Sequence, residues 1–290
     1  MTDTLLRKTD FRFFHRLRVR WAEVDMQKIV FNAHYLMYFD TAIADYWRAM
    51  ALPYEESMRL LEGDLYVRKA TIEFNASARI DDLLDIGMKC ERIGTSSMRF
   101  AGGLFRGGDL LVSCELLYVF ADPASQTSRP VPAALREAIE AYEAGQPMRE
   151  VLTGDWQQLA EGASRVRREV FIDEQRVPES MEWDEHDESA VHAVVRNRLG
   201  QVIATGRLVA EAPGLGRIGR LAVHRGLRGG GHGEALLRAL ESVAQQRGER
   251  ALTLHAQRSA ENFYRRLGYA VCGEPFEEAG IDHIEMRREL

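Results

Sequence analysis

The chain has 290 residues, 46% of them hydrophobic and 28% charged. That length favours two domains, and the balance excludes disordered and fibrous classes. The formal net charge of −6 excludes a broad basic nucleic-acid footprint, so any phosphate binding has to come from local groups. In chain order, residues 11–21 (FRFFHRLRVRW) alternate as a strand, and a loop follows over Met26–Asn32. Tyr35, Leu36, Phe39, Ala42, Ile43, Tyr46 and Trp47 then mark one wide apolar face of a helix of about four turns, with Asn32 as its N-cap and Pro53 just past its end. Strand-like runs follow at Tyr66–Phe74, Leu83–Arg92, Ser97–Phe105 and Leu110–Val119, separated by Gly or Asp turn signals that include Gly102-Gly103 and Gly107-Gly108-Asp109. Residues 121–132 form a polar, Pro-rich turn region, and Ala133–Ala144 is a short closing helix. One long helix followed by a run of strands is an α+β pattern.

Gly145, Gln146 and Pro147 open a linker that ends near Asp155, and the texture then changes. Residues 157–170 read as a helix, His192–Arg198, Val202–Glu211 and Gly216–Val223 as strands, and Glu234–Gln246 as a helix stopped by Gly248. Leu252–His255 is a strand, Ser259–Leu267 a helix and His283–Arg287 a last strand. Alternation of strands and helices predicts a mixed sheet, with domains over 1–147 and 148–290.

Three cysteines, Cys90, Cys114 and Cys272, are far apart and odd in number. They read as reduced packing residues, with neither a disulfide framework nor a metal site expected. The first ten residues lack a signal-peptide core, and no window approaches the ~18 apolar residues of a membrane span. The expectation is a cytoplasmic protein that binds neither membrane nor nucleic acid.

The strongest local signal is RLAVHRGLRGGGHGEALLRAL, residues 220–240. A strand runs into a Gly-rich turn that opens a helix. Helix starts leave N–H groups without partners and carry partial positive charge, and glycines let the backbone approach a phosphate closely. Arg228 adds a formal charge, so the segment suits a pyrophosphate. The register is not that of the dinucleotide fingerprint. The segment resembles the GNAT acetyltransferase superfamily, whose Arg/Gln-x-x-Gly-x-Gly/Ala loop corresponds to Arg228, Gly231 and Gly233, with Gly229 in the same turn. Leu221-Ala222-Val223 looks like that family's splayed strand, implying that Leu221 and Val223 contact the pantetheine arm. SAENFYRRLGYAVCGE (259–274) looks like its second signature, implying that Asn262 contacts CoA and Tyr264 stands near the CoA sulfur as the acid that protonates the leaving thiolate. The resemblance runs from about Asp155 to Leu290 and includes VFIDEQRVP (170–178) and GEPFEEAGIDHIEM (273–286). Glu174, His192, His255 and His283 stand open as general bases. The acidic run Asp184–Glu188 reads as a solvated loop, or else as a lure for a cationic amine.

In the first half, RVRWAEVDMQKIVFNAHYLMYFDTA (18–42) places a carboxylate, Asp25, just before a helix start. Free N–H groups there can polarise a thioester carbonyl, and the carboxylate can attack it or activate water. The segment resembles the hotdog-fold 4-hydroxybenzoyl-CoA thioesterase-like family over about residues 11–145. Asp25 stands at the catalytic position, and Asn32, His34 and Tyr35 match the helix opening. Ala70–Phe74, Asp81-Asp82-Leu83, Ser96-Ser97 and Tyr118–Leu135 match further along. The family usually carries Gly three residues after the Asp; here it is Lys28, which reads as a companion to catalysis, a CoA phosphate contact, or the mark of a reshaped site. The resemblance implies a site between two subunits, hence at least a homodimer. The leading expectation is a bifunctional acyl-CoA enzyme, a thioesterase joined to a transferase that moves an acetyl or acyl group to an amine. Two others stand beside it: a transferase with the hotdog half as dimerising scaffold, and a non-catalytic acyl-CoA sensor.

Overall fold

Tyr35, Tyr38, Phe39, Ala42, Ile43, Tyr46 and Trp47 are buried along α1 (Asn32–Ala49) in the computed structural model, which describes residues 6–290. The spacing follows the 3.6-residue period. Leu36, expected on this face, is instead exposed in the first turn, although Ile43 and Trp47 further along the same side are buried; Tyr38 is buried instead. Asn32 is not the N-cap: it is the first helical residue, Phe31 caps the helix, and no side chain bonds the free N–H groups there.

The first unit, up to Met148, continues with α2 (Tyr54–Leu60), β2 (Asp64–Phe74), β3 (Leu83–Ile93), β4 (Ser97–Arg106), β5 (Asp109–Ala121) and α3 (Ala133–Glu143), after a first strand, β1 (Phe13–Arg18), shorter than expected. These five strands form one antiparallel sheet in the order β1-β3-β4-β5-β2, with α1 packed on β1 and β3. Gly102 and Gly103 are not a turn but lie inside β4. A β-carbon on Gly102 would sit 2.7 Å from the Phe39 ring and 2.9 Å from Met88 Sδ, so glycine here admits the close approach of the helix. Gly107 does turn the chain, with φ of 61°. The second strand of the unit, β2, is an edge strand paired with β5 alone.

The second unit starts at Arg149, inside the stretch expected to be linker. Arg149–Gly154 forms β6, which pairs antiparallel with β7 (Val191–Asn197). The unit then contains α4 (Trp156–Arg167), the short α5 (Glu179–Glu182) and α6 (His186–Ser189), β8 (Val202–Ala212), β9 (Leu215–Val223), α7 (His232–Gln246), β10 (Ala251–Gln257), α8 (Glu261–Arg266), β11 (Ala270–Val271), β12 (Phe276–Glu278) and β13 (Ile281–Glu289). Its sheet runs β11-β13-β10-β9-β8-β7-β6, with β12 on β13. The β9·β10 pair is parallel and the others are antiparallel, a mixed sheet. A π-helical turn, Arg168–Glu174, extends α4. The Leu236, Leu237, Leu240 and Ala244 face of α7 is buried as the periodicity predicts. Of the cysteines, only Cys114 is buried; Cys90 is half-buried and Cys272 exposed, so packing does not account for all three. No helix among the described residues is long and apolar enough to cross a membrane.

Candidate functional site

Two parallel strands part in the second unit. The β9·β10 pairing covers only Leu215–Ile218 with Ala251–Leu254, although β9 continues to Val223 and β10 to Gln257. Past Ile218 the backbone groups on that edge of β9 have no strand partner, which leaves an extended ligand somewhere to pair. A bulge in β9 opposite Thr205 and Arg207 starts the divergence, and Arg220 within it holds a left-handed φ of 49°. The Arg220 guanidinium donates to the Met181 carbonyl (2.9 Å) and to Asp184 (3.1 Å), which pins the bulge to α5 and the residues just after it.

The glycine loop follows directly. Arg228 through Gly231 are exposed, and Gly229 (φ 84°) and Gly231 (φ 74°) are left-handed, as glycine permits. The N–H groups of His232, Gly233 and Glu234 at the start of α7 have no acceptor among the described residues. A β-carbon on Gly233 would lie 3.5 Å from Phe263, 3.6 Å from Val223 and 3.7 Å from Leu221. The fold thus brings together Leu221, Val223, Gly233 and the α8 segment that carries Asn262 and Tyr264. Asn262 is exposed. Tyr264 is buried between Phe263 and Tyr269, and burial pushes its hydroxyl up to about 12, so it holds its proton at neutral pH.

Arg228 departs from expectation. Its guanidinium grips Glu174 with two bonds of 2.7 Å and donates a third, at 3.2 Å, to the Val223 carbonyl. Its charge is therefore compensated, and it holds the Glu174 carboxyl below its ordinary range, which weakens Glu174 as a base. His192 is buried, its Nε2 bonds to the Asp187 carbonyl, its ring packs on Trp156, and burial lowers its pKa, which makes it a weaker base too. His255 and His283 flank the Phe276 ring, and His255 is exposed on β10 just past the last β9 pair.

The acidic run is solvated only in part, at the exposed Glu185 and Glu188. Asp187 is buried and, with Glu182 and Asp184, faces Arg167, Arg207 and Arg220. Burial raises Glu182, whereas for Asp184 burial, the largest single effect, is outweighed by Arg207, Arg220 and the His186 N–H together, which bring the carboxyl to about 2. The Arg167 guanidinium also lies over Trp156 and Trp183. A cleft of about 510 Å³ lined by Trp156, Ser164, Trp183, Asp184, Glu185, Asp187 and Glu188 opens beside this cluster and includes no residue of the glycine loop.

In the first unit, Asp25 opens a tight loop. Its N–H donates to the Ile29 carbonyl, its carbonyl accepts from Lys28, and its carboxylate accepts from the Gln27 N–H at 2.8 Å. Val24 bridges Val30, and the Phe31 N–H donates to the Glu23 carbonyl, so the chain returns beside Asp25 as it enters α1. The N–H groups of Asn32 and Ala33 have no acceptor among the described residues. Lys28, where the family usually has Gly, has φ of 62° and keeps the left-handed backbone that explains the usual glycine. His34 packs on Phe31. The buried Tyr35 hydroxyl accepts from the Ala78 N–H at 2.9 Å, a structural bond to the β2–β3 connection. Sequence reasoning missed Glu23: buried, it accepts from the Tyr38 hydroxyl (2.6 Å) and from Arg20, which outweighs the effect of burial and lowers its pKa. The signal was the Glu–Tyr pair on either side of the loop. Around it Trp21, Met26, Phe31, Leu36 and Met37 are exposed. A cleft of about 720 Å³ elsewhere in the unit is lined by residues that include Tyr54, Arg59, Asp64, Asp122 and Arg129, and by none of the candidate site residues.

Residues 155–290 match the model of the acetyltransferase (GNAT) domain, and residues 27–113 match that of the thioesterase superfamily. The uncharacterized N-acetyltransferase YjcF of Bacillus subtilis (strain 168) is 35% identical over 143 residues, 49% of this chain and all of that protein. The uncharacterized protein YyaT of the same organism is 35% identical over 132 residues, 44% of this chain and 87% of that protein. Among solved structures, Slr0204, a 1,4-dihydroxy-2-naphthoyl-CoA thioesterase from Synechocystis, aligns over 44% of this chain and 94% of its own with 18% identity and a TM-score of 0.41. The chain belongs to the GNAT acetyltransferase family through residues 155–290, and ahead of them residues 27–113 match the thioesterase superfamily.

Proposed function

We propose that the chain is a bifunctional acyl-CoA enzyme, a thioesterase in the first unit and an N-acyltransferase in the second. The observation that carries this is shared: α1 and α7 each begin with N–H groups that have no acceptor among the described residues, beside an exposed loop. At α7 those groups and the left-handed glycines suit the CoA diphosphate, while the parted edge of β9 suits the pantetheine arm. A neutral amine attacks the acetyl carbonyl, the C–S bond breaks, Tyr264 protonates the departing thiolate, and the proton shed by the new amide nitrogen returns to the Tyr264 oxygen. At α1 the free N–H groups draw charge onto the thioester oxygen, and Asp25 either takes a proton from the attacking water or attacks the carbonyl itself; the C–S bond breaks, the thiolate leaves and takes up a proton, and in the second case water then hydrolyses the acyl–Asp25 anhydride. The first-unit site works in a homodimer, which would cover the unpartnered edge of β2 and the exposed apolar side chains around Asp25. Three unpaired cysteines fit a reducing cytoplasm.

The test is to assay thioester cleavage by the full chain with and without a primary amine. The proposal expects cleavage in both, with N-acylated product in the second only. Product formation without amine-independent cleavage would leave the first unit as a scaffold, and neither activity would leave a sensor. Light scattering gives the oligomer, expected at twice the chain mass.

A further inference from the structure

Two arginines reach the glycine loop, and only one is charge-compensated. Arg228 is held by both oxygens of Glu174. Arg149, on β6, donates from NH1 to the Gly230 carbonyl at 2.7 Å and to His232 Nδ1 at 2.6 Å. Arginine has no acceptor, so His232 accepts in this bond and is neutral, with its proton on Nε2. The NH2 of Arg149 lies 3.4 Å from the place of a β-carbon on Gly231. No carboxylate among the described residues pairs with this guanidinium, which is only half exposed and has lost part of its hydration.

Peptide planarity gives this contact a direction. In a trans peptide the C=O and N–H point opposite ways. An arginine gripping the Gly230 oxygen therefore turns the Gly231 N–H away from itself, and that N–H has no acceptor among the described residues. A cation on the carbonyl also polarises the peptide, which strengthens its N–H as a donor. We propose that Arg149, and not Arg228, is the positioning residue that supplies the loop's positive charge, acting on the ligand's diphosphate through the Gly230–Gly231 peptide. This rests on the reading that the loop holds a CoA diphosphate.

The experiment titrates the full chain with coenzyme A at low and high salt and follows hydrogen–deuterium exchange in the peptide spanning 226–236. That peptide reports the loop alone, whatever the first unit binds. In the wild type, coenzyme A slows exchange there, with a dissociation constant that rises with salt. Arg149→Gln raises that constant about tenfold and flattens its salt dependence. Arg149→Lys keeps the charge and stays within about threefold with the wild-type salt slope. Arg228→Gln combined with Glu174→Gln, which removes the neutral pair together, also stays within about threefold. A purely structural role would weaken binding without changing the salt slope. Wild-type affinity and slope in Arg149→Gln, or a larger effect of the Arg228–Glu174 double variant, would overturn the proposal. Should Arg149→Gln fail to melt cooperatively, the lysine variant decides, and a flattened slope there overturns it equally. No protection of 226–236 in the wild type would sink the underlying reading of the loop, an outcome distinct from protection that ignores Arg149.

Discussion

The starts of α1 and α7 pose the same backbone problem and solve it with different residues. Each needs left-handed residues in the approach to free N–H groups, Lys28 at φ 62° before α1, and Gly229 and Gly231 at 84° and 74° before α7. Lysine is tolerated at the first because its side chain runs out to solvent. At the second, a β-carbon on Gly230 would meet His232 Nε2 at 2.9 Å, whereas one on Gly231 would make only ordinary contact with Arg149. The approach to α1 is thus constrained by conformation, and that to α7 by conformation at Gly229 and Gly231 and by packing at Gly230. The lesson is that the departure from the hotdog pattern at Lys28 leaves the loop's shape in place.

The largest effect expected of this comparison is chemical. Asp25→Asn should lower acyl-CoA hydrolysis about a thousandfold and leave amine acylation at its wild-type rate. Hydrolysis at wild-type turnover would end the parallel between the two helix starts.

Next comes pH. Burial first, and Arg149 second, lower His232 to about 4 from 6.5. Between those values the unfolded chain binds the proton and the folded chain does not, so stability falls as pH falls. The loss approaches roughly 3 kcal/mol by pH 4. Urea melts of wild type and His232→Gln at pH 7 and pH 4.5 should diverge accordingly; parallel curves would mean that His232 is not held neutral by its site.

Smaller still, Gly231→Ala should cost about 1–2 kcal/mol for the left-handed backbone, read as a lower Tm, together with weaker protection of the loop by coenzyme A. Lys28→Gly should be the mildest change. Relief of about 1 kcal/mol of strain is offset by about 0.4–1 kcal/mol of added unfolded-chain entropy, so Tm should hardly move and hydrolysis should persist. A marked loss of either would show that the Lys28 side chain has its own part in the site.

Much of the fold was legible because it is written in short-range periodicity. The stripes of α1 and α7, the four strand runs after α1 and the glycine stop after α7 depend on neighbours within a few residues. Three of the misreadings share one cause. Gly102-Gly103 reads as a turn until Phe39, on another element, is placed against it. The acidic run reads as solvated until Arg167 and Arg207 arrive from α4 and β8. Residues 149–154 read as linker because an edge strand of six residues is defined by its pairing with β7.

The sequence by itself determined the two-family organisation, the position of both helix starts and the glycine-rich turn before α7, because each rests on residue types at short spacing. Only the tertiary structure decided where the charge sits. Arg228 finds Glu174 from 54 residues away and Arg149 finds Gly230 from 81, and a charge acts through whichever partner the fold brings within a few ångströms of it.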